Sequence, residues 1–205
     1  TSGAPVLFLL ALDKAVGAAW TSTGTTPNYY KITLPLATTA TASGLANFSV
    51  ALGTTGEAKQ MYMGDLHGNL WKLDFDLASN GTADWTMDKL SPFTKSSVAY
   101  PLYIAKDAST PAKRQPITMA PSLIRGNSAS STYVAFGTGK YLEVADKSST
   151  AQQSVYALFD DGKKDTDTNP NSDDPANTSR ESVIKGRDRL KAGTANTTTG
   201  IVNVD

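Results

Sequence analysis

The chain has 205 residues, with 19 basic and 19 acidic side chains for a formal net charge of zero, one histidine and no cysteine. Balanced charge leaves no electrostatic footprint for nucleic acid or an anionic membrane. The missing thiols exclude disulfides, cysteine-ligated zinc, iron–sulfur clusters and cysteine nucleophiles, while the length suffices for one sizeable domain or two small ones.

The longest apolar run, Ala4 to Leu12, is far shorter than the roughly 20 residues of a membrane-spanning helix and follows no basic segment, so it reads as a buried strand. The chain enters that run with no start Met or leader, as a segment of something larger would. Strands are expected at Val6–Leu12, Tyr29–Leu34, Asn47–Leu52, Gln60–Gly64, Leu70–Phe75, Val98–Ile104, Pro116–Ile124, Tyr133–Phe136, Tyr141–Val144 and Ser154–Phe159. Gly, Pro, Asn, Asp, Ser and Thr separate them, the pattern of an all-β sandwich, barrel or propeller. Tracts of Thr, Ser, Ala and Gly at Thr21–Thr26, Ala37–Gly44 and Thr194–Gly200 bury too little apolar surface to offset their ordering entropy, and are expected as exposed loops. A polar loop insertion is expected over residues 160–181, and the one helical candidate is Ser182–Ala192. Ile201–Asp205 reads as a strand cut before its partner.

Tyr62 to Phe75 is the most informative stretch. Asp65, Gly68 and Asn69 form a turn between two β-type runs: glycine supplies a positive φ, and the Asp carboxylate accepts free N–H groups of the turn. Tyr62–Gly64 is therefore expected to pair with Leu70–Leu73. A similar Asp…Gly…Trp order at Asp13, Gly17 and Trp20 lies 52 residues earlier, close to the roughly 40–50-residue period of propeller blades. Trp20, Trp71 and Trp85 are expected to pack between sheets, since large aromatics dominate core burial.

Three constellations carry possible chemistry. Gly137-Thr138-Gly139-Lys140 has one residue between its glycines and Tyr141 after the lysine, against the Walker spacing, so it reads as a hairpin turn joining Tyr133–Phe136 to Tyr141–Val144. His67, the only histidine, sits in the Asp65–Asn69 turn with no second histidine or cysteine to share a metal, and reads as a solvated turn residue. Asp165, Asp167, Asn169, Asn171 and Asp173 alternate as calcium-wrapping oxygen ligands do. Pro170 and Ala176 occupy the places where such a loop wants Gly and a bidentate Glu, so a solvated polar loop competes with the calcium reading.

Four strings occur in an order that resembles the PilC/PilY family, the tip-associated proteins of bacterial type IV pili. They are Met61 to Phe75; Arg114-Gln115-Pro116-Ile117-Thr118 with Ala120-Pro121; Ala135 to Leu142 followed by Asp146; and Gln153 to Gly162. The resemblance is close over residues 50 to 165. It implies a modified or incomplete β-propeller of quinoprotein-like blades, with residues 1–205 part of one such domain. It also implies a non-catalytic protein, exported to the cell surface, pilus tip or outer membrane. The roles it carries are pilus assembly, opposition to retraction and attachment, with minor pilins, other tip components and a host or abiotic surface as partners. Members of the family commonly carry a calcium loop just before the Tyr-x-Gly-Asp strand. Here that stretch, Leu52 to Gln60, offers one carboxylate, Glu57, and a lysine, Lys59, so calcium control is not carried over to it. Apart from that calcium question, no cofactor is expected. Two alternatives stand beside this reading: a quinoprotein-type dehydrogenase fragment, and an unrelated structural calcium- or carbohydrate-binding propeller.

Overall fold

The computed structural model describes residues 3–36, 42–95, 97–128, 130–164, 190–195, 198–199 and 202–204. In chain order the strands are β1 (Val6–Leu10), β2 (Tyr29–Thr33), β3 (Leu45–Leu52), β4 (Ala58–Asp65), β5 (Asn69–Asp74), β6 (Thr94–Lys95), β7 (Val98–Ala99), β8 (Tyr103–Ile104), β9 (Ser122–Arg125), β10 (Thr132–Gly137), β11 (Val155–Asp160), β12 (Gly193–Ala195) and β13 (Val202–Val204). They form a four-stranded sheet in the order β3-β4-β5-β8, a three-stranded sheet β11-β10-β9, and the pairs β1-β2, β6-β7 and β12-β13, with every strand pair antiparallel.

The four-stranded sheet is the middle of a stack. Side chains alternate across a strand, and in β4 and β5 both faces are buried. Met61, Met63, Trp71 and Leu73 share one face and pack with Leu7 and Ile32 of the β1–β2 sheet and with Leu34 just beyond it. Tyr62 and Leu70 lie on the other face, against Val134 and Phe136 of β10 and Tyr156 and Leu158 of β11. Each fully buried Leu, Ile or Phe contributes on the order of 1.5–3 kcal/mol by leaving water, so these two interfaces are the main apolar stabilisation. Three layers stacked face to face, each of short antiparallel strands, are the arrangement expected of consecutive blades of an open propeller.

Two glycines let the layers close. Gly64 in β4 has Ile117 against it: an added Cβ would lie 2.3 Å from Ile117 Cγ2 and 2.6 Å from its carbonyl oxygen. Gly68 has φ +76°, and a Cβ there would lie 2.5 Å from the Gln115 carbonyl oxygen. Both the backbone region and the space exclude a larger residue.

Several expectations are corrected. Tyr141–Val144 is not a strand, and β10 pairs instead with β9 and β11. Gly139 is tied to Ile117 by a parallel bridge, which turns the chain away from a hairpin return. The strand expected over Pro116–Ile124 is confined to Ser122–Arg125. Pro116 and Pro121 have no N–H for a ladder, and Ile117 donates its own to the Asp65 carbonyl at 3.0 Å. Val98–Ile104 divides at Pro101 into β7 and β8. The first strand ends at Leu10, where the Asn28 side chain folds the following loop by accepting from Thr21 N–H and donating to the Ala19 carbonyl.

The Asp13–Trp20 stretch lies inside that loop and does not repeat the Asp65 hairpin. Thr194 and Ala195 belong to β12, not to a loop, and β12 gives β13 the partner that Ile201–Asp205 was expected to lack. Short helical turns at Phe75–Leu77, Gly81–Asp84, Met87–Leu90 and Val144–Ser148 were not foreseen. Their runs are too brief to show a 3.6-residue period. Of the expected helix Ser182–Ala192 only residues 190–192 are described, and they are not helical. In the expected insertion 160–181, Asp160 is a buried strand end and residues 165–181 lie outside the described residues.

Candidate functional site

The Asp65 hairpin forms as its residues dictate. Asp65 is 1% exposed, and its carboxylate accepts four hydrogen bonds. Oδ1 takes the N–H groups of His67 and Asn69, each at 2.9 Å, and Oδ2 takes Asn69 Nδ2 at 2.8 Å and the Trp71 indole N–H at 2.9 Å. Arg114 Nη1 donates to the His67 carbonyl at 3.0 Å and to Asn69 Oδ1 at 2.8 Å, fastening the turn from outside. Both oxygens of Asp65 are filled, so this carboxylate holds the turn and the Trp71 indole together. His67 sits in the turn at intermediate exposure, with Nε2 2.7 Å from the Ala42 carbonyl oxygen.

A second polar centre joins the middle sheet to the β9–β11 sheet. Lys72 Nζ lies 2.6 Å from Asp160 Oδ2, and both side chains are essentially inaccessible, 0% and 1% exposed. Tyr62 Oη lies 2.7 Å from the same oxygen and 3.1 Å from Gln60 Oε1. Burial, and after it the Asp160 charge, pushes the Tyr62 phenol well above its ordinary range, so it remains a donor. The Lys72 ammonium also lies 5.8 Å from the Tyr62 ring centroid and 5.9 Å from that of Phe93, within cation–π range. Sequence reading missed this centre. Its signal was a lysine between apolar residues of a strand that buries both faces, but its partner lies 88 residues away and no local pattern points to it. A third bridge is Tyr156, whose hydroxyl lies 2.8 Å from both the Lys106 carbonyl and Gln115 Oε1.

The loops present different chemistry. In the turn Gly53–Glu57, the Glu57 carboxylate accepts from the Thr55 hydroxyl and from Thr55 N–H. Those contacts, the Thr55 hydroxyl foremost, hold the Glu57 carboxyl down at about 2. Lys59 Nζ lies 3.5 Å from Glu57 and 2.7 Å from Asp76. A cation already fills the acidic corner of this turn, and one engaged carboxylate does not make a calcium shell.

Lys140 of the Gly-Thr-Gly-Lys string lies 3.2 Å from Asp146 and 3.7 Å from Glu143, and Gly139 N–H is given to the Pro116 carbonyl at 2.7 Å. This is no phosphate cradle. Asp146 accepts the N–H groups of Leu142 and Glu143, which fixes a loop with Tyr141, Leu142 and Val144 exposed at 71%, 64% and 82%.

Trp71 is buried between sheets as expected, and Trp85 lies partly buried with its ring against Tyr30 and Phe75. Trp20 is not: it is 51% exposed in the β1–β2 loop with Lys14 Nζ 4.8 Å from its ring centroid, because its stretch never enters a strand. Asp165, Asp167, Asn169, Asn171 and Asp173 lie outside the described residues. Among the described residues, no three His, Asp or Glu side chains gather where a metal ion could sit, and no helix is long and apolar enough to cross a membrane.

Comparison with known proteins agrees with the layered β architecture. The chain is 38% identical over 122 residues to the type IV pilus biogenesis factor PilY1 of Pseudomonas aeruginosa strain PAO1, which covers 53% of this chain and 10% of that protein. A PilY1 homolog from Xylella fastidiosa is 32% identical over 130 residues, 58% of this chain and 8% of the relative. The chain thus spans about a tenth of the length of these relatives. The crystal structure of the P. aeruginosa PilY1 C-terminal domain superposes with a TM-score of 0.53 at 30% identity, over 68% of this chain and 31% of that one. Residues 37–196 match the PilY1 β-propeller domain, and the chain belongs to that family as an incomplete propeller.

Proposed function

We propose that this chain is the blade-stack segment of a type IV pilus biogenesis factor, a non-catalytic scaffold that acts in pilus assembly and against retraction. The observation that carries the reading is the match of residues 37–196 to the PilY1 β-propeller, since the relatives that share it are named as pilus biogenesis factors. The site chemistry supports it. Asp160 and Tyr62 are spent on joining two sheets and Asp65 on closing the β4–β5 hairpin, which is the work of a scaffold. A quinoprotein dehydrogenase would need carboxylates converging on a cofactor and a free base.

Partners, minor pilins or other tip components, would meet the loops at the sheet ends. The Tyr141–Val144 loop, apolar and held in one shape by Asp146, is the surface best suited to them, and attachment to host or abiotic material would use the same ends. Export to the cell surface or pilus tip follows from this role. The calcium reading rests on the alternation of Asp165, Asp167, Asn169, Asn171 and Asp173 alone.

The test is genetic. Removing the gene from its host should abolish surface pili, and a Tyr141→Ser/Leu142→Ser/Val144→Ser allele should lower piliation with the protein still made at parental level. Normal piliation and motility after complete removal of the gene would refute the role. An absorbing redox cofactor in the purified protein would favour the enzyme.

A further inference from the structure

Lys72 stands between Trp71 and Leu73 in a strand that buries both faces, and its side chain is closed off from water. Its Nζ lies 2.6 Å from Asp160 Oδ2 yet has no hydrogen-bond partner, so the two atoms are close without being an aligned donor and acceptor. The rings of Tyr62 and Phe93 bound the space around it. An ammonium that carries three donors into such a place and uses none leaves part of its desolvation cost unmet. The same features describe a nucleophile held for reaction. A lysine desolvated among apolar groups is an activated amine, and its electrophile is already in place. The carboxyl carbon of Asp160 is one bond beyond the oxygen that Nζ touches, close to the roughly 3–3.5 Å of a near-attack pair. Tyr62 donates to that same oxygen at 2.7 Å, and burial above all keeps its phenol protonated for the task.

We propose that Lys72 and Asp160 form a self-modification site, condensing to an isopeptide amide that staples β5 to β11 with no external reagent. One proton passes from Nζ to Oδ2, which turns ammonium and carboxylate into amine and carboxylic acid. The Nζ lone pair then attacks Asp160 Cγ, and as the N–C bond forms the carbonyl pair moves onto Oδ1. That pair returns as the Cγ–Oδ2 bond breaks. Oδ2, held by the Tyr62 hydroxyl, takes a second proton from the nitrogen and leaves as water. Two buried ions are thereby replaced by one neutral amide, in a place that excludes the bulk water needed to reverse the step. Until closure the two groups are the ion pair of the folded chain, and the closed bond adds a covalent constraint to it. Residues 73–159 then lie inside a ring, so a pull on the two ends of the chain passes through the staple and does not load the strands between.

Mass spectrometry of the polypeptide isolated from its producing cell reads this directly. Trypsin should fail to cut after Lys72, leaving a branched peptide in which Gln60–Lys89 is joined to Ser148–Lys163 and which weighs one water less than its two parts. A Lys72→Met/Asp160→Leu chain, which keeps the site filled and apolar, should give no branched peptide. Cutting after Lys72 in the parent, with both peptides at full mass, would overturn the proposal. A missing water that leaves the two peptides separate would overturn it as well, since an aspartate at Asp161–Gly162 can lose water by cyclising onto the glycine N–H.

Discussion

The Asp65 hairpin and the segment after Gly137 look alike in sequence, each a Gly-containing break between β-type runs with an aspartate close by, yet they fold differently. At Asp65 the turn joins two strands that bury both faces, and the carboxylate holds the turn and the Trp71 indole together. After Gly137 the chain leaves the sheet for residues 138–154 and returns as β11 beside the strand it left. Asp146 holds two N–H groups there as well, but they belong to an exposed loop. An aspartate that gathers N–H groups marks a turn. Whether the turn becomes a hairpin depends on what the next apolar residues find to pack against.

The tryptophans test this most severely. Trp71→Ala removes a ring that is 2% exposed and deprives Asp65 of one of its four donors, so it should cost about 5 kcal/mol, the upper end for large aromatic truncations. Trp20→Ala, in the β1–β2 loop, should stay within about 0.5 kcal/mol of the parent. Urea melts followed by circular dichroism give both numbers. Equal effects at the two positions would erase the distinction between a packed turn and a solvated one.

The long loop raises a second question, since β11 is not delivered to β10 by a tight turn. Closing a loop of this length costs more entropy than a hairpin, though only logarithmically more, and the Asp160–Lys72–Tyr62 centre pins the far end of β11. Asp160→Ala leaves a buried ammonium without its counter-charge and should cost about 3 kcal/mol, the lower end for breaking a buried pair. Replacing both partners, Lys72→Met with Asp160→Leu, should recover most of that loss, because no uncompensated charge remains. A double variant no more stable than Asp160→Ala would mean that the pair is not the anchor of this strand.

The layered all-β architecture was legible because β4 and β5 announce themselves in residue type, period and turn chemistry together. The strands around Tyr29, Asn47 and Ser154 were legible on the same grounds. Tyr141–Val144 misled because Tyr, Leu and Val favour strands wherever they occur, and propensity cannot tell an exposed loop from a ladder. Trp20 misled in the same way, by type without context. Lys72 and Asp160 were invisible because the link between them is made by the stacking of two sheets, not by any sequence-local rule.

The smallest effect expected is at Asp146, and it is read by pH. The backbone N–H groups of Leu142 and Glu143, and then the Lys140 ammonium, hold the Asp146 carboxyl below its ordinary range. A carboxyl whose folded value lies below its unfolded one contributes order that is fully present above the unfolded value, about 3.9, and is lost as pH falls from there through the folded value. The loop should therefore keep its shape at neutral pH and loosen below about pH 4, where protonation takes an acceptor from two N–H groups and a counter-charge from Lys140. Amide NMR shifts of Leu142 and Glu143, followed from pH 7 downward, should move together through that acid window. In Asp146→Ala they should sit at their loosened positions at every pH, with the melting transition of the sheets unchanged. Shifts that stay fixed through the acid window would show that the loop is held by something other than its aspartate, and the likeness between the two turns would be only one of sequence.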